Sequence, residues 1–159
     1  AGALTNVRPT SGFIQPVAVV SRVDAVNGEI IVAIEEAGTL FPDVHQVAVS
    51  DETTALTTGP AKLTFRMPYA MTLTEVRASV NTAPAGATII VDVKKNGTTI
   101  FSTNLSIDAA EKTSLTAAVP AVISVPAIAD DDEMTVDIVQ VGSTVAGAGL
   151  KLLFKGYRS

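Results

Sequence analysis

The chain has 159 residues, a formal net charge of -5, no cysteine and a single histidine. The acidic balance argues against nucleic acid as a partner, because that binding needs clustered Lys and Arg to neutralise phosphates. The absence of cysteine excludes disulfides and thiolate metal sites, and it fits assembly in a bacterial cytoplasm. Although 47% of the residues are hydrophobic, no apolar run is long enough to span a bilayer, so we expect no membrane partner.

The N-terminal part is predicted to be an arm followed by a hairpin. Residues 1–15 contain Pro9 and two glycines with little periodicity, which indicates an extended arm that frays or lies on a neighbour. Two β-rich runs then flank Asn27-Gly28 and predict a hairpin. A short strand is expected near residues 44–49. The polar stretch DETTALTTGP follows it and is taken as a boundary between an attachment and oligomerisation unit, 1–50, and a β-sandwich domain, 51–159.

A second hairpin is predicted in IIVDVKKNGTTIFST, residues 89–103. Asn96-Gly97 favours a two-residue type I′ turn, since both of its central residues need positive φ. That turn fixes a register in which the facing pairs are Lys95 with Thr98, Val93 with Ile100, and Val91 with Ser102. Phe101 then falls on the otherwise polar face, which indicates either a loop folded over its ring or a partner surface.

The remaining strands are expected at regular intervals. We place them near residues 61–66, 71–80, 87–94, 98–105, 119–125, 133–140 and 149–158. Alternation fails within EMTVDIVQV, which indicates a bulge or a strand buried on both faces. No segment carries a helical stripe over three turns, and 109–114 offers at most one short turn. The predicted fold class is therefore all-β, an antiparallel β-sandwich of jelly-roll type with an extended N-terminal arm.

Few residues have the character of a chemical site. His45 has no evident nucleophile or orienting group, so we interpret it as a loop or strand-edge histidine. The acidic run at residues 130–133 lacks the spacing of a calcium loop; a solvated turn is the favoured interpretation and calcium binding the alternative. The glycine-rich run GSTVAGAG, 142–149, lacks the Gly-Lys-Ser/Thr ending of a phosphate loop and predicts a mobile or tightly bent connection. Tyr69 and Tyr157 are the two tyrosines available to a sugar-binding site. We expect no enzyme activity, cofactor or metal.

Two longer stretches, ALTTGPAKLTFRMPYAMTLTEVRASVNTAPAGATIIVDVKKNGTTIF and ADDDEMTVDIVQVGSTVAGAGLKLLFKG, resemble a domain of tailed-bacteriophage structural proteins. The matching features are FRMPYA at 65–70, the hairpin at 91–97, the turn ADDDE at 129–133, and GAGLK at 147–151. The resemblance runs from about Ala55 to the end of the chain, and its motifs are patterns of strands and turns. It does not include the first fifty or so residues.

This resemblance implies a jelly-roll module of a virion and no enzyme. Among such modules, the small size and the absence of a repeat or coiled-coil heptad favour a capsid decoration protein on the capsid surface, bound to the major capsid protein. We expect it to associate with itself as a homotrimer. The alternative is a tail-fibre or head-fibre module that binds a host surface glycan. In the first case the attachment arm would use Leu4, Val7, Arg8, Phe13 and Ile14. In the second, outward loops would present Tyr69, Asn81, Pro84, Gly142 and Ser143.

Overall fold

The computed structural model describes residues 19–24, 29–33 and 42–158, which fall into two compact units, Ala1–Leu40 and Phe41–Ser159. The described residues form strands and connections with no α-helix, and one 3-10 turn lies at Ser114–Thr116. In chain order the strands are β1 Val19–Asp24, β2 Glu29–Ala33, β3 Pro42–Ala48, β4 Gly59–Arg66, β5 Met71–Ser79, β6 Ile89–Lys95, β7 Thr98–Thr99, β8 Phe101–Thr103, β9 Leu105–Ile107, β10 Val122–Ile123, β11 Ala127–Ile128, β12 Glu133–Gln140 and β13 Lys151–Arg158.

The first unit contains the predicted N-terminal hairpin. Strands β1 and β2 pair antiparallel, with Val23 facing Ile30 and Asp24 facing Glu29. The register shifts between Val20 and Arg22, so the hairpin carries a bulge. The arm predicted for residues 1–15 and the Asn27-Gly28 turn lie outside the described residues.

The second unit is an antiparallel β-sandwich, which confirms the predicted all-β fold class. One sheet has the strand order β11-β5-β13-β3 and the other has the order β4-β12-β6-β7, with β9 also paired to β6. Strand β3 pairs with β13 along its whole length. Because of this pairing β3 is an edge strand of the sandwich, and the second unit begins earlier in the chain than the polar stretch at 51–60.

Both sheets contribute side chains to one apolar core. All three methionines of the chain, Met67, Met71 and Met134, are buried in it. Phe154 of β13 meets Phe65 of β4 edge to face, with ring centroids 5.8 Å apart, and this contact joins the two sheets. The other fully buried large side chains are Ile89, Val91, Val93, Ile100, Ile107, Val136, Leu150 and Leu152. Burial of these side chains is the main source of stability for the sandwich.

The Asn96-Gly97 hairpin follows its predicted register near the turn and then departs from it. Asn96 and Gly97 have φ of 49° and 84°, as a type I′ turn requires, and Lys95 faces Thr98. Farther along, Val91 faces Leu105, so the predicted pairing of Val91 with Ser102 is wrong.

The departure of the hairpin from its predicted register buries Phe101. Residues 101–103 leave β6 and pair with β10, and the ring of Phe101 is only 4% exposed. Of the two interpretations of Phe101, the structure therefore supports the loop folded over the ring. Burial of the aromatic ring stabilises this detour, and pairing with β6 resumes at Leu105.

The failed alternation in EMTVDIVQV marks a bulge at Val139, where the pairing of β12 with β6 shifts register between Ile138 and Gln140. A second irregularity lies at Asp137, where the pairing of β12 with β4 shifts register. Opposite this residue, β4 makes an excursion at residues 60–62, where Ala61 has a φ of 49°. The Asp137 carboxylate fills the excursion, accepting the Ala61 N–H at 2.8 Å and a charged hydrogen bond from Lys94 Nζ at 2.6 Å. The predicted bulge is thus present in β12, and the buried Asp137 carboxylate stabilises the separate excursion of β4.

Candidate interaction surface

Three connections meet at one end of the sandwich, which we call the loop end: residues 49–58, 80–88 and 141–150. Isolated bridges join Ala148 to both Ala55 and Thr82, and Val145 to Ala85. Backbone hydrogen bonds reinforce these bridges; the Leu56 N–H donates to Gly147 O at 2.9 Å. Two loops that are far apart in sequence, Asn81–Gly86 and Gly142–Ala148, are therefore held against each other.

The predicted outward residues of these loops differ in exposure. Asn81 and Ser143 are exposed at the loop end, whereas Pro84 and Gly142 are buried. A Cβ added at Gly142 would lie 1.9 Å from the carbonyl oxygen of Val145. The expectation that Pro84 and Gly142 face outward is therefore wrong, because both serve the packing between the loops. The glycine-rich run is a tightly bent connection, with φ of 91° at Gly147 and 73° at Gly149.

Charged and polar groups stiffen the rim of the loop end. Lys151 Nζ lies 2.8 Å from the Glu52 carboxylate and 3.2 Å from Asn81 Oδ1, and the Asn81 amide donates to Glu52. Asp51 accepts the backbone N–H groups of Thr54 at 2.7 Å and Thr53 at 2.9 Å. The Thr54 and Thr53 bonds lower the pKa of Asp51 to about 2. The carboxylate is therefore ionised wherever the protein is folded near neutral pH.

Tyr69 lies at the opposite end of the sandwich. It precedes β5 whereas Asn81 follows it, and a nine-residue strand separates its ends by roughly 30 Å. The Arg158 guanidinium lies 3.7 Å above the Tyr69 ring centroid, and Arg158 also pairs with Asp43. Burial, followed by the neighbouring Asp43 carboxylate, raises the pKa of Tyr69. Tyr69 thus belongs to a cation–π contact and not to the loop end, while Tyr157 is exposed on the last strand.

The acidic run at 130–133 is a turn organised by Asp132. Its carboxylate accepts the Ala129 N–H at 2.7 Å and the Asn96 amide at 2.7 Å, and Lys95 Nζ lies 4.0 Å away. The Ala129 bond is the largest cause that lowers the pKa of Asp132. Asp130 and Asp131 are exposed. Within the described part of the chain, no three His, Cys, Asp or Glu side chains form a group suited to a metal ion.

His45 lies on the edge strand β3, as one of the sequence interpretations proposed. Its ring packs on Phe65, with centroids 5.6 Å apart. The five residues predicted for the attachment arm, Leu4, Val7, Arg8, Phe13 and Ile14, lie outside the described residues. Within the described ranges, no helix has the length and apolar character needed to cross a membrane.

Sequence reasoning missed a second surface on the side of the sandwich. A hollow of about 620 Å³ lies there, lined by residues of β6, β8, β9 and β12 and by Val119. Val119 belongs to the segment Thr113–Ala129, the longest stretch of the chain without a charged residue. That compositional signal was available in the sequence, but it did not show which strands would join the segment to form a surface.

The chain was compared with protein-family models, curated proteins and solved structures, and none of these comparisons gave a match.

Proposed function

We propose that the chain is a non-enzymatic structural protein of a tailed-bacteriophage virion. In this proposal it is a capsid decoration protein, assembled in the host cytoplasm, that binds the major capsid protein, associates as a homotrimer and stabilises the head. Support comes from the sequence resemblance together with a sandwich whose polar residues serve turns and loop contacts. The ring of His45 packs on Phe65, and the carboxylates of Asp51, Asp132 and Asp137 hold backbone N–H groups.

The observation that carries the proposal is the order of strand pairing. Counting β3, β4, β5, β6, β9, β11, β12 and β13 as eight strands, the first pairs with the last, the second with the seventh, the third with the sixth and the fourth with the fifth. The third also pairs with the eighth, and the fourth with the seventh. This order of pairing supports the jelly-roll module that the resemblance implies. We therefore propose jelly-roll topology for the sandwich.

Copy number in purified virions tests the decoration role. Quantitative mass spectrometry should give a ratio to the major capsid protein that is comparable with one, since a decoration protein covers the whole head. A ratio far below that value would contradict decoration and indicate a fibre or vertex component.

The arm supplies a second test. Deleting residues 1–15 should abolish binding to capsids while the sandwich stays folded, because all strands of the second unit lie after residue 41. Binding is measured by co-sedimentation with undecorated heads, and circular dichroism of the truncated protein is the control for folding. Full binding by the truncated protein would contradict attachment through the arm.

One observation favours the alternative, a fibre module that binds a host surface glycan. The loops Asn81–Gly86 and Gly142–Ala148, both predicted to face a receptor, meet at the loop end. On this alternative, substitution of the exposed Ser143 should change adsorption to host cells without changing the heat stability of the particles. A change in particle stability without any change in adsorption would contradict the glycan role.

A further inference from the structure

Three side chains at the loop end bring a lysine amine, a side-chain amide and a carboxylate together. Glu52 follows β3, Asn81 follows β5 and Lys151 begins β13, and β13 pairs with both β3 and β5. Lys151 Nζ lies 2.8 Å from both Glu52 carboxylate oxygens and 3.2 Å from Asn81 Oδ1. The same Glu52 oxygen, Oε2, accepts from Lys151 Nζ and from Asn81 Nδ2. One carboxylate therefore bridges the lysine nitrogen and the amide nitrogen.

The Asn81 side chain is held in a single orientation in this group. An ammonium only donates hydrogen bonds and a carboxylate only accepts them, so Oδ1 faces Lys151 and Nδ2 faces Glu52. The Asn81 backbone is also fixed, because its N–H donates to Ala148 O at 2.9 Å. A Cβ added at Gly149 would lie 2.8 Å from Asn81 Cγ, so glycine at this position leaves room for the amide. Packing and hydrogen bonds thus hold the Asn81 amide beside the lysine amine.

We propose that Lys151 and Asn81 react with each other to form an isopeptide bond, with Glu52 as the proton carrier. An amine becomes nucleophilic when a base within hydrogen-bond reach takes its proton, and Glu52 lies within that reach. Attack also requires that the two groups be held nearly in contact, and Nζ is 3.2 Å from the oxygen bonded to the amide carbon. The reaction is a single self-modification of the chain, and it does not depend on the proposed function.

The atoms and protons of this reaction balance without a further reactant. Glu52 takes one proton from the Lys151 ammonium, and the Nζ lone pair attacks Asn81 Cγ to form the Nζ–Cγ bond. The Cγ–Nδ2 bond then breaks, and Nδ2 takes a second proton from Nζ and leaves as ammonia. The ammonia carries off the proton held by Glu52 as ammonium, which restores the carboxylate. The Glu52 side chain is 55% exposed, so the product can leave to solvent, whereas the Lys151 side chain is only 25% exposed.

The isopeptide bond closes a covalent loop in a chain that has no cysteine for a disulfide. It joins two residues that are 70 positions apart and ties the end of β5 to the start of β13. A cross-link of this kind stabilises a fold by restricting the unfolded chain, and a longer loop gives a larger effect.

Intact-mass spectrometry of the purified full-length protein tests the proposal. The wild-type mass should be lower than the mass calculated from its sequence by one ammonia molecule. Proteolysis should release a branched peptide that joins Lys151 to Asn81. Lys151→Arg and Glu52→Gln should both keep the mass calculated from their sequences, because a guanidinium does not lose its proton and a glutamine amide is not a base.

Lys155→Arg is the matched control on the same strand. Lys155 pairs with Glu75 at 3.8 Å, but among the described residues it makes no hydrogen bond to a side-chain amide. This variant should lose one ammonia molecule as the wild type does, and it should melt at a higher temperature than Lys151→Arg. A wild-type mass equal to the calculated mass after prolonged incubation of the folded protein at neutral pH would overturn the proposal. Loss of ammonia without the branched peptide would overturn it as well.

Discussion

Asp137 shows how one buried carboxylate shapes two strands. Asp137 of β12 is only 9% exposed, and its carboxylate accepts hydrogen bonds from Lys94 of β6 on one side and from the Ala61 N–H of β4 on the other. Burial alone would raise the pKa of Asp137, but the bonds from Lys94 and Ala61 outweigh it, so the pKa lies below its ordinary value. The carboxylate therefore stabilises the β4 excursion more strongly in its ionised form.

Replacement of Asp137 by alanine should destabilise the sandwich by about 2–3 kcal/mol, because it leaves the Ala61 N–H and the Lys94 ammonium without their acceptor. Urea unfolding measures the loss. Adding Lys94→Met to the variant should restore part of the stability, since the uncompensated cation is then removed. A loss below about 0.5 kcal/mol for Asp137→Ala would show that water replaces the carboxylate.

The edge strand β3 illustrates how a single element is protected on one side. The Val49 N–H donates to Leu150 O at 2.8 Å, and hydrogen-bonding direction alternates along a strand. Val47 therefore directs its N–H towards β13, while Val44 and Gln46 direct theirs away from it. The outward Val44 N–H donates to the Asp43 carboxylate at 2.8 Å. Pro42, also on the outward side, has no backbone N–H. These features blunt an edge that would otherwise pair with any free strand.

A pair of proline substitutions tests this alternation. The quantity compared is the loss in free energy of unfolding of each proline variant relative to the alanine variant at the same position. This loss should be about 2 kcal/mol larger at Val47 than at Gln46, because only the proline at Val47 removes a ladder hydrogen bond. The alanine variants correct for loss of the side chain, and the free energies come from denaturant unfolding. Equal costs for the two prolines would mean that the assigned direction of the N–H groups is wrong.

At the scale of the whole molecule, ionised carboxylates tie the turns and loops to the sandwich. Each of three carboxylates accepts a backbone N–H: Asp51 at the loop end, Asp132 in the acidic turn and Asp137 at the β4 excursion. All three have lowered pKa values, that of Asp51 about 2. A carboxyl group with a lowered pKa binds protons less readily in the folded than in the unfolded chain.

Stability should therefore be constant from neutral pH down to the ordinary carboxyl range and then fall as the pH approaches about 2. The unfolded chain takes up protons first, so acid favours unfolding across that window. Thermal unfolding between about pH 6 and pH 2 measures the effect. Asp51→Asn should reduce the fall in melting temperature at the lowest pH values. A melting temperature that rises on acidification would contradict the lowered pKa values of these carboxyl groups.

The sequence by itself determined the local features of this protein. Asn96-Gly97 fixed a turn because only a few residue types accept positive φ, and β-branched alternation located the strands and the all-β class. The broken alternation in EMTVDIVQV correctly indicated a bulge in β12. These signals lie within a few residues of the structure they specify, so a single chain segment carries them.

Only the tertiary structure decided the features that depend on distant partners. The detour of Phe101 to β10, the pairing of β3 with β13, the burial of Pro84 and Gly142, and the distance of Tyr69 from the loop end all depend on strands far away in the sequence. The uncharged run Thr113–Ala129 could be identified from the sequence. The sequence did not show that Val119 of this run lines the same hollow as Val139. Packing of the two sheets determines such contacts, because burial stabilises contacts between complementary surfaces even when they are distant in sequence.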